Sequence, residues 1–136
     1  MSAAADTAVR YFAVLSDGDV EGAVALFADT ADFRSPMGQM NGKEEIRVFL
    51  GGFDTAFPGA RFDIDNVLEL GNLVAVEGVY SGVHGGPLML PDGGSLPATG
   101  RSVSAPFVTM LEVSEGAITS HRPYWDVAAL MAQLTA

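Results

Sequence analysis

Apolar residues near the start of the chain recur three and four apart. Ala5, Ala8, Val9, Phe12 and Leu15 lie at the spacing that gives a helix one buried face. Ser2 is placed to cap that helix, and Ser16-Asp17-Gly18-Asp19 is a turn cluster that stops it. Asp19 then caps a second, short helix with Val20, Ala23, Val24 and Phe27 on its stripe. Residues 31–35 read as a short strand closed by Pro36 and Gly38, and a third helix follows Asn41-Gly42 with Ile46, Phe49 and Leu50 inward.

Beyond Pro58-Gly59 the period falls to two. In residues 61–70, Phe62, Ile64 and Leu68 alternate with Arg61, Asp63, Asp65 and Glu69, which is a strand pattern. Gly71-Asn72 turns the chain into a second strand over 73–83. Residues 85–100 are rich in Gly and Pro and carry Leu88-Met89-Leu90, so they read as a loop or flap. Two more strands, 102–113 and 117–125, flank the Ser114-Glu115-Gly116 turn, and a short helix covers 127–134. With no repeat and no linker, residues 1–136 are expected to form one domain. Helices followed by a run of antiparallel strands predict an α+β fold with the helices on one face of the sheet. If that sheet curves, it encloses a pocket.

Composition narrows the chemistry. About half of the 136 residues are apolar, which excludes disorder. A net charge of -10 repels nucleic acid and anionic membrane, so neither is expected as a partner. The absence of cysteine excludes disulfides, thiolate metal sites and a Cys nucleophile. Neither a basic leader nor a run of roughly 20 apolar residues occurs, so a soluble cytoplasmic protein is expected. The two histidines have no metal-binding spacing, and the glycines form no phosphate-binding motif, so neither a metal nor a nucleotide cofactor is expected.

Several stretches carry a family resemblance. Residues 10–19 and 25–29 are similar to the first two helices of ketosteroid isomerase, and 33–38 with Gly42 and Ile46 to its short strand and third helix. The second half, through Ser81-Gly82-Val83-His84-Gly85-Gly86, Pro97-Ala98-Thr99-Gly100-Arg101 and residues 116–134, resembles the SnoaL-type polyketide cyclases. The resemblance implies the cone-shaped fold of the nuclear transport factor 2 class, with a curved antiparallel or mixed sheet and three N-terminal helices around a pocket. It implies cofactor-independent acid/base chemistry on a small hydrophobic carbonyl compound, or a binding domain that has kept only the cavity. Ketosteroid isomerases use a Tyr and two Asp residues, one Asp as the base and the other kept protonated as a donor. Tyr11 stands at the Tyr position, but Ser35 and Val108 replace the acids, so the isomerase route is not available. An Asp–Arg–Asp arrangement for epoxide hydrolysis does not assemble either.

The resemblance places the acid/base group near the last strand. If Val108 faces the pocket, His121, Pro123 and Trp125 share that face. His121 is the first candidate, since an ordinary histidine pKa of about 6.5 suits work near neutrality. A structural strand histidine is the plainer reading. Asp126 is the second candidate, although it also reads as the N-cap of the last helix. Tyr11 could donate to a substrate carbonyl or simply edge the core. His84, set among glycines, is either a ligand contact or a strand-end hydrogen bond. Trp125, Phe33, Ser35, Phe53, Met89, Val108 and Met110 are candidate walls of an apolar site. Phe107 and Leu111 are expected on the outer sheet face, where a homodimer would cover them.

Overall fold

The computed structural model describes residues 2–135; Met1 and Ala136, the outermost residues of the expected 1–136 domain, lie outside it. Its helices are α1 (Ala3–Ser16), α2 (Val20–Val24), α3 (Lys43–Ala56) and α4 (Val127–Thr135). Its strands are β1 (Phe27–Ser35), β2 (Gly38–Asn41), β3 (Arg61–Leu70), β4 (Leu73–Val83), β5 (Leu88–Met89), β6 (Ser95–Leu96), β7 (Ser102–Ser114) and β8 (Ala117–Tyr124). Six strands make one mixed sheet in the order β2-β1-β8-β7-β4-β3, and β5-β6 is a separate hairpin. All neighbours in the large sheet are antiparallel except β1 and β8, which run parallel. This is the α+β, cone-shaped architecture with helices against one sheet face.

The caps read from sequence form as expected. Ser2 Oγ accepts from the Ala5 amide at 3.2 Å, and Asp19 Oδ1 accepts from Gly22 at 2.9 Å. Phe27 differs: it begins β1 rather than ending α2. A five-residue helix has little stability of its own. The Leu26 carbonyl instead accepts from the Ile118 amide at 2.8 Å, and buried Phe27 packs edge-on to Tyr11. Strand β2 has no counterpart among the elements expected from the pattern. Pro36-Met37 is a two-residue hairpin loop, tightened by the Met37 amide donating to Ser35 Oγ at 3.0 Å.

Two local devices shape the sheet. A bulge in β3 between Ile64 and Asn66 brings the Asp63 carbonyl so close to Gly78 that a Cβ there would lie 2.3 Å from it. The prolines Pro106 and Pro123 lie where β7 and β8 each have one ladder neighbour. The β7–β8 pairing starts at Val108, and the β1–β8 pairing ends at His121. A proline there removes no ladder hydrogen bond.

Residues 85–100 form a strap over one end of the molecule. Its base is closed by His84 and Arg101 (N···O 2.9 Å) and by Gly100 and His84 (2.9 Å). Gly85 and Gly86 donate to the Ala56 carbonyl at the end of α3, at 2.9 and 3.2 Å. Leu88 is buried against Ala56, Phe57, Val103, Leu130 and Leu134 in a second core. The main core lies between α1, α3 and the inner sheet face, around Phe12, Phe27, Ile46 and Leu111. Among the described residues, no helix is long and apolar enough to cross a membrane.

Candidate functional site

Strand parity decides which side chains reach the cavity. Along β7 the odd positions Val103, Ala105, Phe107, Thr109, Leu111 and Val113 are buried, while the even positions are exposed or half-buried. Val108 is therefore on the outer face at 39 % exposure, and Met110 lies on that face beside Ala75 and Arg122. Neither lines the cavity, contrary to the sequence expectation. Phe107 and Leu111, expected outside, point inward.

His121, Pro123 and Trp125 nevertheless line the cavity. The reason is a bulge in β8. Val113 pairs with Ile118, but Glu112 pairs with Ser120, so one residue is inserted between them. That residue is Thr119, whose hydroxyl donates to the Glu112 carbonyl at 3.1 Å. The insertion shifts parity by one and sets His121 opposite Leu111 and Pro123 opposite Thr109, all on the inner face.

The cavity is about 100 Å³ and almost wholly apolar. Its walls include Phe12, Phe33, Phe53, Phe62, Phe107 and Trp125, and its polar side chains are Tyr11, Ser35, Tyr80, His121 and the Trp125 indole. No carboxylate lines it among the described residues. An engineered cavity of about 150 Å³ in another protein holds benzene, so this space has the scale of one small ring.

His121 is 3 % exposed and stands in an aromatic cage. Its ring centre is 4.3 Å from that of Phe33 and 5.2 Å from that of Tyr11, which it meets at 90°. Nδ1 lies 2.7 Å from Thr109 Oγ1, and Nε2 has no hydrogen-bond partner among the described residues. Burial disfavours the imidazolium and moves its pKa from 6.5 down to about 3. The ring is thus neutral near pH 7, and the ordinary value of about 6.5 expected for His121 from sequence does not hold. Tyr11 is buried on α1, and desolvation raises its pKa, so its hydroxyl stays protonated. Tyr80 is raised likewise, first by burial and then by the negative charge of Asp54.

The other sequence candidates lie apart from the cavity or are committed elsewhere. Asp126 is exposed and accepts from the Ala129 amide at 3.0 Å, the geometry of an N-cap for α4. Ser35 lines the cavity, but its hydroxyl donates to the Gly38 carbonyl at 3.2 Å. Met89 is 59 % exposed on the strap hairpin, where the buried neighbour Leu88 takes the inward side. His84 is fully buried behind the cavity, its ring 5.3 Å from Phe57. Its Nδ1 accepts from the Thr99 amide at 3.2 Å and lies 3.0 Å from Thr99 Oγ1, while Nε2 is buried without a partner among the described residues. The residue fastens the strap rather than facing the cavity. Arg122 pairs on the outer face with Glu112 at 2.6 Å.

Thr109 and Tyr80 are not among the candidates that the sequence singles out. Thr109 has a legible signal, because it is the one polar residue among the odd positions of β7. No group of three or more metal-ligating side chains occurs among the described residues.

Known structures share this architecture. A proposed SnoaL-like polyketide cyclase from Jannaschia sp. CCS1 superposes with a TM-score of 0.86 at 22% identity, covering 98% of this chain and 92% of that one. IdmH, a proposed polyketide cyclase from Streptomyces antibioticus, gives 0.80 at 24% identity, with 98% and 99% covered. An NTF2-like protein of unknown function from Burkholderia pseudomallei K96243 gives 0.81 at 20% identity, with both chains fully covered. Identities of this order establish the fold alone. No curated protein matches the chain. The SnoaL-like domain model matches residues 8–121, from α1 to the cavity histidine, and the chain therefore belongs to the SnoaL-like domain family.

Proposed function

We propose that the chain is a cofactor-independent enzyme of the cyclase or isomerase type, acting on a small apolar carbonyl compound held in the cavity. The observation that carries this reading is the placement of His121 and Tyr11 in an almost wholly apolar cavity, with His121 Nδ1 held by Thr109. When a carbon next to a carbonyl gives up a proton, to a bare His121 Nε2 or to hydroxide from solvent, charge collects on the carbonyl oxygen. Fixed hydrogen-bond donors in a dry site stabilise that charge more than water does at the same distance. Tyr11 supplies one such donor. The proton position on the His121 ring decides whether Nε2 draws a proton from the ligand or gives a hydrogen bond to its oxygen.

Acetophenone, a one-ring methyl ketone, is a suitable probe. Exchange of its methyl protons in D2O, followed by NMR, is expected to accelerate in the presence of the protein. Tyr11→Phe and His121→Leu each lower that acceleration, by roughly 10²-fold or more for a donor to the developing oxyanion. Bound acetophenone that exchanges no faster than in buffer sinks the enzyme reading.

A ligand-binding domain without turnover is the second reading. It is favoured by a cavity that no carboxylate lines among the described residues and by a histidine that resists protonation. Either reading takes a homodimer, proposed through the outer sheet face. The apolar residues there are Leu68, Val108, Met110 and Tyr124, in place of the inward Phe107 and Leu111. Gel filtration at the monomer mass would remove that part.

A further inference from the structure

The contact between Thr109 and His121 decides the chemistry of the cavity wall. Thr109 is fully buried and does not line the cavity, so its hydroxyl reaches neither solvent nor ligand. Among the described residues its one hydrogen-bond partner is His121 Nδ1, at 2.7 Å. A hydroxyl can rotate, but its hydrogen must find an acceptor when it is buried. If Nδ1 carried the ring proton, the Thr109 hydrogen would have none. With Nδ1 bare, the hydroxyl donates to it and both groups are satisfied.

We propose that Thr109 is a positioning residue that holds His121 in the Nε2–H tautomer, so that the cavity offers its ligand a neutral hydrogen-bond donor rather than a base. This rests on the reading of the cavity as the ligand site. The chemistry of the lining agrees with it. Tyr11, Tyr80 and Trp125, which all carry donor hydrogens, are among the lining residues, and no carboxylate among the described residues lines the cavity as an obligate acceptor. The ligand class follows: a small ring bearing an acceptor oxygen, such as a ketone, quinone or enolate, in preference to an amine or a hydrocarbon. Unpaired donors in a dry wall also discriminate against an isostere that lacks the oxygen.

Two measurements test this on the full chain. Long-range 1H–15N spectra of the 15N-labelled protein at neutral pH report the ring tautomer directly. Trp125 is the only tryptophan and lies in the cavity wall, so its fluorescence reports binding. The probes are acetophenone and α-methylstyrene, which share a shape and differ in the acceptor oxygen.

The wild type is expected to show His121 protonated at Nε2 and to bind acetophenone at least tenfold more tightly than α-methylstyrene. Thr109→Val keeps the shape and removes the hydroxyl; it is expected to lose the single tautomer and most of that preference. Thr109→Ser restores both. A wild-type ring protonated at Nδ1 overturns the proposal, as does a Thr109→Val protein that keeps the Nε2–H tautomer and the tenfold preference. Should Thr109→Val fail to fold, the wild-type spectrum decides alone. Absence of proton exchange with the Nε2–H tautomer in place removes the enzyme reading and leaves this one. The Nδ1–H tautomer with rapid exchange does the reverse, making Nε2 the base.

Discussion

Lowering the pH should destabilise this protein through His121 in a calculable way. In the unfolded chain the imidazole takes up a proton near its ordinary value of 6.5; in the folded chain burial holds it off until about 3. Between those values the unfolded state binds more protons, so stability falls as pH falls and is independent of this group above about 6.5. Each pH unit inside the window costs about 1.4 kcal/mol, so the loss is about 2 kcal/mol at pH 5, with a ceiling of about 5 kcal/mol near pH 3. That ceiling is comparable to the lower end of a domain's whole stability, about 5 kcal/mol. The assay is urea unfolding at pH 7, 6 and 5 for the wild type and His121→Leu. The variant loses a hydrogen bond and is less stable at pH 7, but its offset is not the readout. The quantity that matters is the difference between the two proteins as a function of pH, in which His84 and the carboxylates common to both cancel. It should narrow by about 2 kcal/mol from pH 7 to pH 5. A difference that stays flat over that range refutes the reasoning.

Three further outcomes are expected. Asp126→Ala should cost about 1 kcal/mol in urea unfolding by uncapping α4, with acetophenone binding unchanged. Gly86→Ala should cost about 1–3 kcal/mol, because the new Cβ would lie 2.2 Å from the Thr55 carbonyl oxygen and the strap must shift to admit it. His84→Ala should also cost about 1–3 kcal/mol, since the Thr99 amide loses its acceptor. Amide hydrogen exchange at Thr99 and Gly100 should quicken in that protein while exchange in β4 and β7 stays slow.

Much of the fold is legible because helical and strand periods carry it. The face of α1, its Ser2 cap, the Asp19 cap and the long strands β3, β4, β7 and β8 follow from spacing and turn residues, but the bulge in β3 turns Leu68, which the period groups with Phe62 and Ile64, out to 70 % exposure and sets Val67 inward. Phe27 is not legible because a distant partner decides it: Ile118 recruits the Leu26–Phe27 backbone into the sheet. Strand β2 is missed for a local reason: it is a four-residue edge strand folded back on β1, with Met40 its one buried side chain, too short to show a period. The site shows the same division. His121, Tyr11 and Trp125 reach the cavity, but parity points to His121 only through a false step, with Val108 seated inward and the bulge at Thr119 omitted. The two errors cancel. The odd positions of β7 read Val, Ala, Phe, Thr, Leu, Val, and the even ones Ser, Ser, Pro, Val, Met, Glu, Ser. Counting the faces turns Phe107 inward and Val108 outward, and exposes Thr109 as the polar exception. What no pattern conveys is that Thr109 meets the ring nitrogen of His121, since that contact exists only across two paired strands.

The parallel pairing of β1 with β8 bears on how the chain reaches its native state. Strand β8 follows β3, β4 and β7 in the sequence, yet it lies between β1 and β7 in the sheet. During synthesis the N-terminal helices and β1 emerge first and must wait for some ninety residues before their sheet partner exists (Phe27 pairs with Ile118). Closing so long a loop is an entropic cost borne before any contact rewards it, which makes assembly slow and leaves apolar edges bare meanwhile. The imidazole cage and the hollow beside it are therefore among the last parts to form, and a nascent chain stalled before β8 would be a client for chaperones.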